Sequence, residues 1–411
     1  MSERGAGRGV GEVVIVGAAR TPHGAFLGGL APLAAPKLGA IAIRAALERS
    51  GITDDKIDEV YMGNVVQAGV GQAPARQAAL GAGLPQSVPC TTVNKVCGSG
   101  LKSVMLASSQ ILAGEARCIV AGGMESMSNA PYLARGLRTG LALGEHRIED
   151  ANLVDGLVDA YGGGHMGLGG EKAAECCALT REDQDRFAAR SYEKALRAQK
   201  EGAFDAEIVT VDVPGRKGAV TTVAKDETPR ATSLEALGKL APAFKPGGTI
   251  TAGNASKLND GAAALVVASA DRARELRAAP IARVIAQAQY AREPELFLLA
   301  PSGAIARVLE RAGWSVDLVD LFEVNEAFSG IEGVRRELGI PEEKFNVNGG
   351  AVALGHPIGA SGARLLVTLL YALRARGKRR GVVSLCLGGG EAVALAVEAL
   401  WARTTCPASA R

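Results

Sequence analysis

The chain has 411 residues, which at roughly 100 to 200 residues per domain is enough for two or three domains with a sizeable buried core. Its 46 Lys and Arg residues against 43 Asp and Glu residues leave a net charge of +3, so neither nucleic acid nor an anionic membrane is expected as a partner. Glycine accounts for 53 residues and aromatic side chains for only 4%, against a usual glycine share of about 7%. This composition predicts backbones that pack closely against one another.

The cysteines and the chain termini indicate the compartment. Seven cysteines are spread along the chain, an odd number without the density of a disulfide scaffold. Because no signal peptide is recognisable, we expect a reducing, cytoplasmic location. No uninterrupted apolar stretch reaches the ~18 residues that a transmembrane helix needs, so no membrane span is expected. Residues 1–11 contain no amphipathic run and are predicted to form a disordered tail.

Strand and helix signals alternate along the first part of the chain. Gly51 follows the first predicted helix directly, in the position of a left-handed cap. The alternation predicts an α/β fold in which helices cover a sheet. Apolar runs predict strands at residues 13–18, 59–62, 118–122 and 261–268, and helices at 37–50, near 75–82 and from residue 98.

An internal repeat predicts how these elements are organised. The sequence of residues 47–51 recurs at 309–313, and that of residues 98–100 recurs at 360–362, both 262 residues downstream. Two segments that share one offset predict two similar halves. We therefore expect a duplicated fold in which two α/β halves pack as a layered sandwich, with an N-terminal half at 12–275 and a C-terminal half at 276–411.

A segment of about residues 126–247 has no counterpart in the second half. Its one clearly amphipathic helix spans about residues 180–201, with Thr180 as the N-cap. We interpret the segment as an inserted loop domain of helix and loops on the first half. Excursions of this kind over a rigid scaffold commonly carry substrate contacts.

Reactive side chains stand where the two halves differ. Cys97 precedes a helix start where the second half has Gly359, and Cys386 ends a strand where the first half has Val120. His356 lies just upstream of the helix start in the second half. If the halves pack about a pseudo-twofold axis, these three side chains converge at one seam.

Each of the three residues fits a chemical role. A cysteine at a helix N-terminus meets free N–H groups and the positive end of the helix dipole, so we expect a lowered pKa for the Cys97 thiol. A neutral His356 nearby would act as its base. The glycines that follow Cys386, among them Gly388, would let backbone N–H groups approach a developing oxyanion.

Two other motifs are not expected to form functional sites. Gly162, Gly164 and Gly167 fit G-x-G-x-x-G, but no buried strand precedes them, so a dinucleotide site is not expected. The four histidines are scattered and no C-x-x-C pair is present, so no metal site is expected.

Five stretches of the chain together resemble the thiolases, most closely their acetoacetyl-CoA group. They span nearly the whole chain and are highly specific as a set. The resemblance implies an acyltransferase that uses coenzyme A thioesters as substrates and needs no separate cofactor. The stretches are residues 94–100 (NKVCGSG), 122–127 (GGMESM), 325–328 (NEAF), 346–364, and 386–390 (CLGGG).

The resemblance also implies roles for the seam residues. Cys97 would carry the acyl group as a thioester after activation by His356, and Cys386 would remove or return the α-proton of acetyl-CoA. One oxyanion site would use His356 with a water held by Asn325. The other would use the backbone N–H groups of Cys97 and Gly388. The implied reaction is a ping-pong, reversible Claisen condensation of two acetyl-CoA molecules to acetoacetyl-CoA and CoA.

Further residues are implied to bind the substrate, and the family assembles as homodimers or homotetramers. His165 and Met166 match the pocket segment of the acetoacetyl-specific enzymes and would leave little room for a long acyl chain. Ser256 would contact the pantetheine and Arg230 the nucleotide end. Two aromatic pocket walls complete the implied set, Phe244 and Phe328, which could equally be plain core.

Three alternatives stay open at this point. The first is a 3-ketoacyl-CoA thiolase of broader chain length that acts in fatty-acid β-oxidation. The second is a decarboxylating ketoacyl synthase, a class that pairs its cysteine with two histidines, or with a histidine and an asparagine, and has no counterpart of Cys386. The third is a lipid-carrier or scaffold protein with a thiolase-like body, against which the intact Cys97, His356, Asn325 and Cys386 argue.

Overall fold

Fourteen strands and eleven helices can be assigned in the computed structural model, which describes residues 11–162 and 164–401. The strands are β1 (Val13–Arg20), β2 (Gly24–Ala25), β3 (Glu59–Gly63), β4 (Cys90–Val93), β5 (Cys118–Ser126), β6 (Tyr132–Leu133), β7 (Glu149–Asp150), β8 (Val211–Pro214), β9 (Val220–Val223), β10 (Asn259–Ser269), β11 (Ala282–Ala291), β12 (Leu321–Val324), β13 (Arg380–Leu387) and β14 (Glu391–Ala399). The helices are α1 (Ala35–Ser50), α2 (Pro74–Gly81), α3 (Ser99–Ala113), α4 (Met166–Cys176), α5 (Arg181–Lys200), α6 (Leu234–Gly238), α7 (Ala270–Glu275), α8 (Ala300–Ala312), α9 (Glu332–Glu337), α10 (Ala351–Leu354) and α11 (Ile358–Ala375).

The strand order shows the duplication. The main sheet runs β12-β13-β14-β11-β1-β10-β5-β3-β4, with β2 beside β10. In the first half β3 pairs in parallel with β5, which pairs antiparallel with β10, and β10 with β1. In the second half β12, β13, β14 and β11 repeat that pattern. The halves join through a short antiparallel contact between β1 and β11. The predicted duplication of an α/β unit is therefore confirmed.

Side-chain alternation along the strands builds the layers. Because successive residues of a strand face opposite sides, the odd-numbered residues 263–267 of β10 join one core cluster and the even-numbered residues 262–268 another. The first cluster contains α3 and α11 between the inner faces of both half-sheets. The second contains α1 and α2 on one outer face, and a third contains α8 on the other. The result is the predicted layered sandwich, with helices in the central and both outer layers.

The central helix α11 is long and apolar enough in composition to cross a membrane. Nearly all of it is buried, because it lies between the half-sheets against α3. Its composition therefore reflects its place in the core.

Local signals located several elements well. Helix α1 ends at Gly51, which adopts the expected left-handed conformation with φ of 68°. Helix α5 begins with a capping box in which Thr180 and Asp183 each accept a hydrogen bond from the backbone of the other. The inserted segment contains α4, α5 and α6, but also two hairpins, β6–β7 and β8–β9, that were not predicted. Their strands of two to four residues are too short for a clear alternation signal.

Glycines bring the central elements to backbone contact near the seam. A Cβ atom on Gly123 of β5 would lie 2.0 Å from the carbonyl oxygen of Gly359 in α11 and 3.0 Å from the Cα atom of Gly100 in α3. One on Gly63 of β3 would lie 2.7 Å from that same oxygen. The glycine-rich composition thus allows close packing where the two central helices begin.

Candidate active site

Cys97 lies in a tight loop immediately before α3. The preceding residue, Val96, has a positive φ of 45°. The Ser99 hydroxyl fixes this loop, because its Oγ accepts a hydrogen bond from the Lys95 N–H at 2.8 Å and donates one to the Val96 carbonyl at 2.6 Å. The cysteine is thereby held at the start of the helix, where the sequence places it.

The protonation state expected for Cys97 was wrong. Cys97 is partly exposed, yet protein atoms surround it densely, and this desolvation raises the pKa of its thiol to about 12. Hydrogen bonds from the backbone N–H groups of Cys97 and Gly388 favour the thiolate, but they offset only part of the desolvation. The resting residue is therefore a neutral thiol that needs a base.

Hydrogen bonds fix the tautomer of His356. The Ser361 hydroxyl donates its single proton to the Pro357 carbonyl oxygen at 2.8 Å, so it must accept at its other contact, with the His356 Nδ1 atom at 2.6 Å. Nδ1 therefore carries the proton, and Nε2 has a free lone pair. Asn325 places its Nδ2 atom 3.5 Å from Nε2.

His356 is neutral as well as oriented. Burial, and secondly the positive charge of Arg364, lower the pKa of the imidazole to about 3. The backbone N–H of His356 is held by the Lys257 carbonyl and by the Asn259 side chain, both at 3.1 Å. A neutral imidazole with an unprotonated Nε2 atom is the form required of a general base.

Cys386 lies near the end of β13 and is fully buried. Desolvation raises the pKa of its thiol well above the ordinary value, and the neighbouring charge of Cys97 raises it further. The two thiols are thus close enough to influence one another's ionisation, as the seam hypothesis predicts.

Glu125 supports the same region but was not recognised as a site residue from the sequence. Its buried carboxylate accepts hydrogen bonds from the backbone N–H groups of Val65 and Gly359 at 3.1 and 2.9 Å, and from the Asn64 side chain at 2.6 Å. Desolvation raises its pKa to about 7. This carboxylate joins the loop after β3 to the first turn of α11, and so ties the two halves together beside the thiols.

The implied pocket residues form an aromatic group. The His165 ring stacks on Phe244 with centroids 4.5 Å apart, and Phe244 meets Phe328 edge to face at 5.8 Å. His165 also caps α4, because its Nδ1 atom accepts a hydrogen bond from the Gly167 N–H at 3.0 Å. Met166 packs into the cluster that contains Cys386 and Phe328.

Phe297 is a wall of this group that the sequence did not reveal. It meets Phe328 edge to face at 6.4 Å, and a Cβ atom on Gly169 would lie 2.8 Å from its ring. In the sequence Phe297 is a single aromatic residue just before α8, and such a residue does not by itself predict a pocket wall.

Of the two remaining predicted residues, Ser256 lies beside the aromatic group and Arg230 does not. The Ser256 backbone N–H donates to the Ala327 carbonyl at 3.0 Å, which places it beside Phe328. Arg230 is exposed, and its guanidinium lies 5.9 Å from the ring centroid of Tyr192 rather than within the aromatic group. Within the described ranges, no group of three His, Cys, Asp or Glu side chains is arranged to hold a metal ion.

Comparisons with known proteins identify the family of this chain. Residues 13–271 match the family model for the thiolase N-terminal domain, and residues 278–399 match that for the thiolase C-terminal domain. The chain belongs to the thiolase family.

Individual relatives are similar over nearly the whole chain. The acetyl-CoA acetyltransferase of Cupriavidus necator is 51% identical over 94% of this chain and 99% of its own. That of Pseudomonas aeruginosa is 51% identical over 93% and 98%. The crystal structure of the Bacillus anthracis acetyl-CoA acetyltransferase superposes with a TM-score of 0.94 at 40% identity, covering 96% of this chain and 100% of that one.

Proposed function

We propose that this chain catalyses the reversible condensation of two acetyl-CoA molecules to acetoacetyl-CoA and CoA, through an acetyl-cysteine intermediate. The observation that carries the proposal is the contact between the first turns of α3 and α11, which follow Cys97 and His356, beside a second neutral thiol at Cys386. The names of the relatives support the same reaction. Acetyl-CoA, acetoacetyl-CoA and CoA are the proposed ligands, and no separate cofactor is required.

Cleavage of acetoacetyl-CoA starts from the three neutral groups. His356 takes the thiol proton at Nε2 while the Cys97 sulfur attacks the ketone carbon. The bond between that carbon and the α-carbon then breaks, which leaves an acetyl group on Cys97. Cys386 donates its proton to the carbon of the departing acetyl-CoA enolate. At this stage His356 is protonated and Cys386 is a thiolate.

The second half of the cycle restores the resting state. The Cys386 thiolate accepts the proton of CoA, and the CoA sulfur attacks the acetyl carbonyl. The Cys97 sulfur departs and recovers its proton from His356. Condensation is the reverse sequence, in which the Cys386 thiolate removes the α-proton from acetyl-CoA. Two thiols are needed because one is acylated when the carbanion-like carbon forms or is quenched.

Two groups of donors would stabilise the oxyanions. The N–H groups of Cys97 and Gly388 both favour negative charge at the Cys97 thiol, which makes them suitable donors for the carbonyl oxygen of an acyl group carried there. His356, with a water held by Asn325, would serve the other thioester oxygen. A donor preorganised in this way typically contributes about 3 to 4 kcal/mol to the transition state.

Acyl transfer can be tested directly. Incubation with acetyl-CoA followed by peptide mass mapping should place one acetyl group on Cys97. Cys97→Ala should abolish both labelling and turnover, whereas Cys386→Ala should still be labelled but should not form acetoacetyl-CoA. Cys90→Ala, a half-buried thiol outside the site, is the matched control. Full turnover by Cys97→Ala would refute the assignment.

A thiolase of broader chain length is the second candidate, and a cavity gives it a structural basis. A space of roughly 290 Å³ lies next to the aromatic group and is lined in part by His165, Met166 and Phe297. A longer acyl chain would have to pass Met166 to use it. We expect thiolysis rates to fall steeply beyond the four-carbon 3-ketoacyl-CoA, and Met166→Ala to raise the relative rate on six- and eight-carbon substrates. Equal wild-type rates across the series would favour the broader enzyme.

The organisation of the chain completes the proposal. We place the domain boundary between residues 275 and 276, with the inserted loop domain at about 126–247, and the matched family segments 13–271 and 278–399 support this division. The proposed tail at 1–11 lies almost wholly outside the described residues. We further propose that the protein is cytoplasmic and forms a homodimer or homotetramer. Light scattering of the purified protein would measure the number of subunits.

A further inference from the structure

The side chain of Asn325, proposed above to hold the water of one oxyanion site, has few contacts of its own to fix it. Its Nδ2 atom lies 3.5 Å from the His356 Nε2 atom. Its Oδ1 atom is buried without a hydrogen-bond partner among the described residues. The position of this amide is therefore set by the main chain on either side of Asn325.

A second asparagine clamps the residue before Asn325. The Oδ1 atom of Asn346 accepts the Val324 N–H at 2.8 Å, and its Nδ2 atom donates to the Val324 carbonyl at 2.9 Å. Asn346 has a positive φ of 44°, a conformation that asparagine adopts more readily than most residues. The backbone N–H of Asn325 donates to the carbonyl of Ser384 in β13 at 3.0 Å. These bonds fix the start of the loop after β12.

The next residue, Glu326, is a buried carboxylate on which three donors converge. It is 1% exposed. One oxygen accepts a hydrogen bond from the Asn346 Nδ2 atom at 2.8 Å, and the other accepts from the Ser191 hydroxyl at 2.6 Å and the Val352 N–H at 3.2 Å. A Cβ atom on Gly350 would lie 2.2 to 2.6 Å from the carboxylate atoms. Glu326 thus joins the loop after β12 to α5 and to α10, which leads into the His356 loop.

The directions of these hydrogen bonds require a carboxylate at position 326. Because both ends of the Asn346 amide are committed to Val324, this amide cannot flip and must donate to Glu326. The Val352 N–H can only donate as well. The side chain at 326 therefore has to accept on both of its oxygens. An amide there would face one of these donors with its own NH₂ group.

We propose that Glu326 is a positioning residue that holds the Asn325 amide beside His356, and so controls the step in which the enolate of acetyl-CoA forms or is quenched. The proposal rests on the function proposed above, in which the water held by Asn325 serves the enolate oxygen. It adds a residue that does not touch the substrate and acts through Asn325.

Loss of Glu326 should affect the two half-reactions unequally. Transfer of an acetyl group to Cys97 requires the imidazole base but not the water held by Asn325. That base keeps supports that do not involve Glu326, namely hydrogen bonds with the Ser361 hydroxyl, the Asn259 side chain and the Lys257 carbonyl. Only the step that forms or quenches the enolate should therefore be slowed.

The test compares two rates in Glu326→Gln. Exchange of acetyl groups between acetyl-CoA and isotope-labelled CoA, followed by mass spectrometry, measures transfer to Cys97 alone and should stay within about twofold of the wild-type rate. Thiolysis of acetoacetyl-CoA also forms the enolate, and its kcat should fall about ten- to a hundredfold, because a displacement of about 1 Å can cost that much. In an Asn325→Ala background the same substitution should have little further effect. Glu332→Gln, at a 2% exposed carboxylate of α9 that is paired with arginines, is the control and should leave both rates unchanged.

Each outcome decides the role of Glu326. Equal losses of exchange and thiolysis, wild-type thiolysis, or an undiminished effect in the Asn325→Ala background would overturn it. If Glu326→Gln does not fold, Ser191→Ala, which removes one of the three donors, has to show the same pattern with a smaller loss. If the wild type catalyses neither reaction, the proposed function fails. A crystal structure of Glu326→Gln then still tests the positioning role, which requires the Asn325 Nδ2 atom to leave its place 3.5 Å from the His356 Nε2 atom; an unmoved amide overturns it.

Discussion

The Ser361 hydroxyl should control catalysis without touching the substrate. In Ser361→Ala the imidazole of His356 loses its 2.6 Å partner, and a buried N–H is left unsatisfied. Such a loss costs about 1 to 3 kcal/mol, which the enzyme can avoid by shifting the proton to Nε2. That tautomer cannot accept the Cys97 proton. At 1.36 kcal/mol per factor of ten, kcat should fall roughly 5- to 150-fold.

A spectrophotometric assay of acetoacetyl-CoA thiolysis would measure this effect. We expect KM to be nearly unchanged, because Ser361 is fully buried and binds only the catalytic loop. Ser50→Ala is the matched control, since Ser50 is also a buried helical serine that donates to a backbone carbonyl, at 2.7 Å, but lies at the end of α1 in an outer layer. Both variants should lose similar thermal stability, but only Ser361→Ala should lose kcat. Wild-type kcat in Ser361→Ala would refute the tautomer argument.

Three further predictions concern packing, charge and ionisation. Gly123→Ala should lower the free energy of unfolding by about 1 to 3 kcal/mol or more in chemical denaturation, because the new Cβ atom would overlap backbone atoms. Gly238→Ala is the control and should not destabilise the fold, because its new Cβ atom would meet nothing within 4 Å. Arg20→Met leaves two buried carboxylates without a counter-charge and should lower the free energy of unfolding by about 3 to 5 kcal/mol. Arg274→Ala, at an exposed ion pair, should change it by less than about 1 kcal/mol. The rate of Cys97 alkylation by iodoacetamide should rise continuously from pH 7 to 10, because its raised pKa keeps the thiolate scarce; a plateau near neutral pH would contradict this.

The sequence was most informative where a signal is local or repeated. The left-handed Gly51 and the N-cap Thr180 depend on a few neighbouring residues, so their positions were predicted correctly. The 262-residue offset supplied the long-range information, because a duplicated unit must bury the same faces twice. The repeat also predicts that Cys97, Cys386 and the His356 loop meet at one seam.

The same repeat contained a signal that could have revealed Ser361. Ser361 matches Ser99 across the repeat, and each hydroxyl donates to a carbonyl in the loop just before it. In the first half that loop carries Cys97, and in the second it carries His356. A serine repeated beside both reactive residues therefore indicates that, in each half, a serine hydroxyl fixes the loop just before a helix start.

Contacts between distant segments could not be predicted in this way. Phe297 meets Phe328 only because the segment before α8 packs against the loop after β12, and neither position has a periodic signal. The cluster of Lys257 and Arg230 on Tyr192 likewise joins three separate segments. Such arrangements depend on tertiary packing, which single-sequence patterns do not encode.

The error over the Cys97 pKa has a mechanistic consequence. The helix dipole favours a thiolate, but it acts on a group already desolvated by the layers that bring Cys97 and Cys386 together. Desolvation prevails, so both thiols and His356 rest as neutral groups. A resting thiolate at Cys97 would need no base. The neutral resting state instead makes the attack of Cys97 depend on proton transfer to His356, and leaves Cys386 with the proton that carbon–carbon cleavage requires.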